Sequence, residues 1–267
     1  MKQVPRHLDR PPLDTPILQW WANEYDFVYA ILNPFFKVPS YSPSTTQYGV
    51  THVGNSALQD IINFVTTTKI STSNDAPDDF DSTIKRTGQQ VLWSDVQRAI
   101  GAEDFVEFAR TVWLWVVHSD RSDKNLAIAR ALTRYCDENH VYPPEEDVLP
   151  AVLEPTLSEY LRRLSIDEVT IWSEWRDKSL RVPAAAFDRS NPVVDLPGEK
   201  CSGIAAEGFF LSWEFDDVVG LLCLTEELHS KSSPLELFEG FAITPSMYSD
   251  VLNPVDLIER NPRPKLS

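Results

Sequence analysis

The sequence predicts an α+β protein, in which a helical N-terminal half packs on a small antiparallel sheet that C-terminal helices close. Two observations carry this prediction: apolar residues recur at helical spacing through most of residues 17–164, and they alternate from about residue 165. A third is that helical and extended segments form separate runs, which favours α+β over alternating βα units. We interpret residues 1–267 as a single domain. Its expected parts are an extended lead-in at 1–16, a mainly helical part at 17–164, antiparallel strands at 165–230 and short helices at 231–260.

The helical half is expected to begin at Ile17, just after Pro16, and its first helix should end by Asn33 because Pro34 follows. Further helices are expected near residues 94–101, 105–117 and 126–136. Gly101 suits the end of the first of these.

Residues 66–90 have the composition of a loop and contain the acidic stretch TSNDAPDDFD. A calcium loop that starts at Asp75 would need glycine at its sixth position and glutamate at its twelfth. Those positions hold Phe80 and Arg86, so the sequence predicts no metal site here.

The stretch GFFLSWEFDDVVGLLCLTEELH, residues 208–229, combines apolar strand patterns with five carboxylates and a histidine. Successive strand residues point to opposite faces, and Asp216 and Asp217 suit a turn. We therefore interpret it as a β-hairpin, in which Glu214 lies on the face opposite Trp213, and not as a convergent catalytic cluster.

Charge is the strongest compositional signal: 40 acidic and 24 basic residues give a net charge of −16. Such a surface repels phosphate backbones, so direct nucleic-acid binding is disfavoured, and it attracts basic proteins. Three cysteines without a CxxC motif indicate a reducing compartment, and Cys136 and Cys223, in apolar patterns, are expected to be buried thiols. No signal peptide or membrane span is evident, so we expect a cytoplasmic protein that does not bind membranes.

Candidate chemistry is sparse. Nothing matches a phosphate-binding loop, HExxH or GxSxG, and no cofactor is predicted. The candidate catalytic residues are Glu174, Glu214, His229 and Cys201. Cys201 is included because the positive charge of Lys200 beside it would lower the pKa of its thiol. Aromatic side chains mixed with acids can line a cleft for a sugar or a cation, and the candidates for such binding are Trp172, Trp175 and Trp213.

The C-terminal part contains IWSEW, GFFLSWEFDDVVGLLCL and LFEGFAITPSMY, after a helical part with WLWVV and PPEE. In this order the segments resemble an uncharacterised bacterial family of unknown function, over roughly residues 90–250. The resemblance implies a cytosolic bacterial protein, and it implies no activity and no catalytic residues.

Three functions remain open. The first is a non-catalytic acidic interaction protein, of the immunity or regulatory type, that binds a basic protein partner. The second is a small-molecule enzyme or binder with a cleft lined by Trp and carboxylate side chains, which requires at least two of Glu174, Glu214 and His229 to meet. The third is a mimic of nucleic acid. The lack of a catalytic signature favours the first.

Overall fold

The computed structural model describes residues 4–48 and 76–253. Within them, seven antiparallel strands form one sheet in the order β5-β4-β6-β7-β8-β1-β9, and β2 pairs with β3 in a separate two-stranded sheet. The strands are β1 Phe27–Leu32, β2 Phe35–Lys37, β3 Gln89–Val91, β4 Glu168–Trp172, β5 Ser179–Pro183, β6 Gly203–Ala206, β7 Phe209–Ser212, β8 Val219–Leu224 and β9 Gly240–Ala242.

The α-helices of the described residues cover both faces of the large sheet. They are α1 Ile17–Trp20, α2 Phe80–Thr87, α3 Trp93–Ile100, α4 Phe105–Val116, α5 Leu126–Asn139, α6 Glu154–Leu164 and α7 Glu226–His229. Within the described ranges, no helix combines the length and the apolar character that a bilayer crossing requires.

The α+β class is confirmed, but the helical N-terminal half is wrong, because strands are spread through the chain. The expected helix from Ile17 ends at Trp20, and residues 27–32 form β1 between β8 and β9. The physical reason is that β1 is buried on both faces of the sheet. Its residues FVYAIL therefore form a continuous apolar run, which satisfies helical spacing as well as strand formation.

Two other expected boundaries also change. Residues 80–87 of the expected loop form α2, whereas residues 66–75 of that loop lie outside the described residues. In the region expected to hold short C-terminal helices, residues 240–242 form β9 at the edge of the sheet, and residues 254–260 are outside the described part of the chain.

The predicted hairpin is confirmed. Strands β7 and β8 pair antiparallel with Leu211 opposite Leu222, and residues 213–218 connect them. Gly101 ends α3 in the left-handed conformation, at φ 72°, as its position predicts.

The core consists of two main layers, one on each face of the large sheet. Ile171, Leu211 and Leu222 face α6, where Leu157 and Leu161 pack against them. On the opposite face, Phe210, Leu221, Cys223 and β1 side chains lie beneath α3, α4 and α5. The central strands are covered on both faces, whereas β5 at one edge of the sheet is largely exposed.

Candidate functional site: the acidic end of the sheet

Two loops leave the same end of the large sheet side by side. Trp172, near the end of β4, is opposite Gly203 on β6, and Gly203 is opposite Ser212 at the end of β7. The loops 173–178 and 213–218 therefore begin at the same level, two strand spacings or about 10 Å apart.

A third segment, residues 145–147, packs against the second of these loops. The backbone N–H of Asp147 donates to the carbonyl of Asp217 at 2.9 Å, and the N–H of Asp217 donates to Asp147 Oδ1 at 3.3 Å. The three segments together gather five carboxyl groups. We call this set the acidic end, and it comprises Glu146, Asp147, Glu174, Asp216 and Asp217.

Electrostatics at the acidic end are unusual for a protein surface. Burial, and then the negative charge of neighbouring carboxylates, raises the pKa of Glu146 to about 7. Burial likewise raises the pKa of Asp147 to about 6 and that of Asp217 to about 8, although hydrogen bonds from backbone N–H groups and the charge of Arg10 oppose these shifts. A cluster of acids with pKa values near neutrality marks a candidate functional site.

No lysine or arginine of the described residues forms an ion pair with any member of the acidic end. Glu146 Oε2 is shielded from water and accepts no hydrogen bond, and the same holds for Oε2 of the adjacent Glu145. The acidic end thus carries negative charge that no lysine or arginine of the described residues pairs with.

The backbone here is also conformationally restricted. Eight non-glycine residues of the described chain have positive φ, and three of them are Asp147 (69°), Arg176 (56°) and Asp216 (56°). Left-handed backbone is tolerated by Asp but is uncommon for Arg, and such residues concentrate at functional sites. The loops of the acidic end are therefore held in a defined geometry.

Two large aromatic side chains project from the loops of this end. Trp175 is 76% exposed in the loop after β4, and Phe215 is 67% exposed in the loop after β7. Exposed aromatic residues beside a charged cluster are typical of binding surfaces.

The structure brings together some of the residues predicted from the sequence and separates others. Glu174 and Glu214 share this end of the sheet, and Glu214 Oε2 lies 3.5 Å from Arg10 Nη1. His229 follows β8 at the opposite end, where its Nε2 is 2.8 Å from the hydroxyl of Tyr29 and its ring stacks on Phe27.

Cys201 is buried near the acidic end, just before β6, and burial raises the pKa of its thiol to about 12. The lowered pKa expected from Lys200 is therefore wrong. The ammonium of Lys200 is bonded to Asp81 and lies 3.1 Å from Asp195 Oδ2 instead.

The three candidate tryptophans occupy different environments. Trp213 is buried and donates from Nε1 to Asn33 Oδ1 at 2.7 Å, which gives it a place in the core. Trp172 is half-buried, whereas Trp175 is the one of the three that is open to a partner.

Sequence reasoning missed Glu146, Asp147 and Arg10. The signal for the first two was the PPEED run at residues 143–147, where three acids directly follow two prolines. No local pattern marked Arg10, because its environment is created by segments distant in the sequence.

A neighbouring polar network extends the acidic end on one side. The hydroxyl of Tyr48 contacts Asp81 and donates to Glu145 Oε1 at 2.8 Å. Burial raises the pKa of Glu145 to about 7 and that of the Tyr48 phenol above its usual range. Glu145 therefore continues the row of carboxyl groups that begins at Glu146.

Within residues 4–48 and 76–253, no three His, Cys, Asp or Glu side chains are grouped so that they would hold a metal ion.

Fold and site define an α+β protein whose antiparallel sheet bears a cluster of unpaired carboxyl groups at one end. Residues 13–249 match the model of the family described as Protein of unknown function (DUF2711), and the chain belongs to that family. The expected membership of an uncharacterised family is thereby confirmed. Comparison with curated proteins and with solved structures gave no match.

Proposed function

We propose that this protein binds a basic protein partner at the acidic end, as a non-catalytic interaction protein. The observation that carries the proposal is that five carboxyl groups lie together without any ion-pair partner from the described residues. Lysine or arginine side chains of a partner would neutralise this charge, and the exposed Asp216 is the acceptor that they reach most directly.

The exposed aromatic residues support a protein rather than a lone ion as the ligand. Trp175 and Phe215 stand in the loops that carry Glu174 and Asp216. Such rings pack against the alkyl stems of lysine and arginine and attract their charged ends. The net charge of −16 would in addition accelerate the encounter with a basic protein.

A small organic cation is the second candidate ligand, which corresponds to a binder or enzyme with a carboxylate-lined cleft. It is favoured by the placement of Glu174 and Glu214 at one end of the sheet. His229 would take no part, because it lies at the other end.

The proposal is tested by titrating a fluorescent lysine-rich peptide, and a small alkylamine in parallel, into the protein at low and moderate salt. The double variant Glu146→Gln/Asp216→Asn should bind the peptide about 10-fold more weakly, because two carboxyl groups are replaced by neutral amides. Asn is compatible with the left-handed backbone at position 216.

The matched control is Asp137→Asn/Glu138→Gln on α5, which removes the same charge from exposed positions outside the acidic end. Equal weakening by both double variants would show that the peptide responds only to net charge, and it would reject the site. Trp175→Ala should also weaken the peptide complex, while Leu126→Ala, at an exposed apolar residue of α5, should not. Tight binding of the alkylamine alone would favour the second candidate.

A further inference from the structure

Arg10 carries an unused set of hydrogen-bond donors inside the protein. Its side chain is only 9% exposed, and Nε, Nη1 and Nη2 are shielded from water without a hydrogen-bond partner. Among the described residues its one ion pair is with Glu214, and the separation of 3.5 Å is too long for a charge-assisted hydrogen bond. A guanidinium has five N–H donors and no acceptor, so Arg10 lacks acceptors on all sides.

A second guanidinium lies close by. Arg176 donates to the backbone carbonyls of Ser173 at 2.7 Å, of Glu174 at 3.2 Å and of Leu8 at 3.3 Å. Its head group rests on Gly203, where an added Cβ would come within 2.8 Å of Arg176 Cζ. Burial, and then the positive charge of Arg10, lowers the pKa of Arg176 to about 10. Arg176 is therefore anchored by the backbone, in the field of another cation.

Two more unused donors flank Gly203. Trp172 and Ser212 are its partners on the neighbouring strands, and residues paired in this way point to the same face of a sheet. Trp172 Nε1 and Ser212 Oγ are both shielded from water and have no hydrogen-bond partner among residues 4–48 and 76–253. Arg176 lies over the glycine between them, so all these groups share one face at one end of the sheet.

The surrounding acids accept no hydrogen bond from Arg10 within the described residues. Glu214 and Asp217 face Arg10, Asp9 and Glu174 face Arg176, and Asp250 lies near Asp217. Burial raises the pKa of Asp217 to about 8. Unused hydrogen-bond donors are thus in excess around Arg10.

We propose that Arg10, Trp172 and Ser212, above the anchored Arg176, form a binding site for one small oxyanion, a carboxylate or phosphate group. Its oxygens accept the unused hydrogen bonds of these side chains, and a guanidinium group suits the bidentate binding of a carboxylate or phosphate.

The test is thermal unfolding of the full chain at pH 7.5 in sodium phosphate and, separately, in sodium acetate, each compared with sodium chloride at equal ionic strength. A ligand bound only by the folded state raises its stability, so we expect the melting temperature to rise by about 2–5 °C at tens of millimolar anion. A rise with phosphate alone assigns a phosphate group, and a rise with acetate alone assigns a carboxylate. Equal melting temperatures in all three salts would overturn the proposal.

The variants make the test specific to the site. Arg10→Met should remove the anion-dependent rise, while Arg98→Met, which removes an arginine from an exposed ion pair with Asp95, should keep it. Should Arg10→Met fold poorly, Ser212→Ala serves in its place, with about 3- to 10-fold weaker binding of the effective anion in a calorimetric titration. Unchanged affinity in the folded variant tested would disprove the site. None of these measurements depends on the basic partner, so the two proposals can fail separately.

Discussion

Two buried cations of this protein differ in how their donors are used. Lys85 is fully buried with Glu154, its Nζ lies 2.6 Å from Glu154 Oε2, and it donates to the carbonyls of Ala186 at 2.9 Å and Pro192 at 2.7 Å. The ammonium thus makes two hydrogen bonds to backbone carbonyls and one close ion pair. The other carboxylate oxygen, Glu154 Oε1, accepts from the N–H of Val194 at 3.1 Å.

Arg10 has the opposite character. It is almost as deeply buried, yet none of its side-chain nitrogens is hydrogen-bonded within the described structure, and Glu214, its ion-pair partner, is partly exposed. A closed set of contacts such as that of Lys85 fixes chain segments, here α2 to residues 186–194, and leaves nothing for a ligand. Unused donors such as those of Arg10 can instead bind a ligand. We infer that this difference separates the structural pair Lys85–Glu154 from the pair Arg10–Glu214, which we assign to ligand binding.

The largest expected effect comes from removing the cation of the buried Lys85–Glu154 pair. Lys85→Met leaves Glu154 buried without its cation, and it should destabilise the protein by about 3–5 kcal/mol. Urea unfolding monitored by tryptophan fluorescence measures this change. Arg98→Met, at the exposed pair with Asp95, should change stability by less than about 1 kcal/mol. A loss of similar size in both variants would contradict the structural role of Lys85.

The acidic end should show the reverse of the usual dependence of stability on pH. A carboxyl group whose pKa is raised in the folded state binds more protons there than in the unfolded chain, so its contribution weakens folding as pH rises from its unfolded pKa to its folded pKa. For Asp217 that window runs from about 4, the usual value for Asp, to about 8.

Asp217→Asn tests this dependence, because the amide oxygen can still accept from the N–H of Val219, as Oδ1 does at 3.0 Å. The variant should match the parent near pH 4 and become the more stable of the two as pH rises to 8.5, by about 1.4 kcal/mol for each unit by which folding raises the pKa of Asp217. Asp137→Asn, at an exposed position of α5, should show no such trend. A constant difference between Asp217→Asn and the parent at all pH values would refute the raised pKa.

Arg10→Met should cost far less than Lys85→Met when no anion is present. Removing a buried cation that has no hydrogen bonds relieves desolvation as well as losing attraction, so we expect a change within about 1 kcal/mol in chloride. In the effective anion the gap between parent and variant should widen, which denaturation in both salts would show. A cost in chloride equal to that of Lys85→Met would mean that Arg10, too, is structural.

How well the sequence predicts this structure depends on whether the interactions involved are local or join segments that are distant along the chain. The hairpin around Asp216 and Asp217 and the helix end at Gly101 follow from local patterns, and the structure has both. Strand β1 was mistaken for helix because its burial between β8 and β9 is set by distant segments.

The candidate site likewise combines residues that local sequence patterns indicated with residues that they did not. Glu174 and Glu214 stood out as carboxylates in aromatic surroundings, and the structure places them at one end of the sheet. The contributions of Asp147 and Arg10 depend on residues far away in the chain, such as Asp217 and Glu214. Contacts of that kind leave no periodic pattern to detect.

Two buried serines differ as Lys85 and Arg10 do, in whether the polar group has a hydrogen-bond partner. Ser158 Oγ is 2.5 Å from Asp188 Oδ1, to which it donates, whereas Ser212 Oγ is buried without a partner. Ser158→Ala should therefore destabilise the protein by about 1–2 kcal/mol, because a hydrogen bond to a charged acceptor is lost. Ser212→Ala should be neutral or stabilise it by up to about 1 kcal/mol in chloride, since it removes a hydroxyl group that is desolvated without a hydrogen bond. Parallel chemical denaturation of both variants decides the matter: if Ser212→Ala costs as much as Ser158→Ala, the hydroxyl of Ser212 already has a partner, and the donor cluster around Arg10 is closed rather than open.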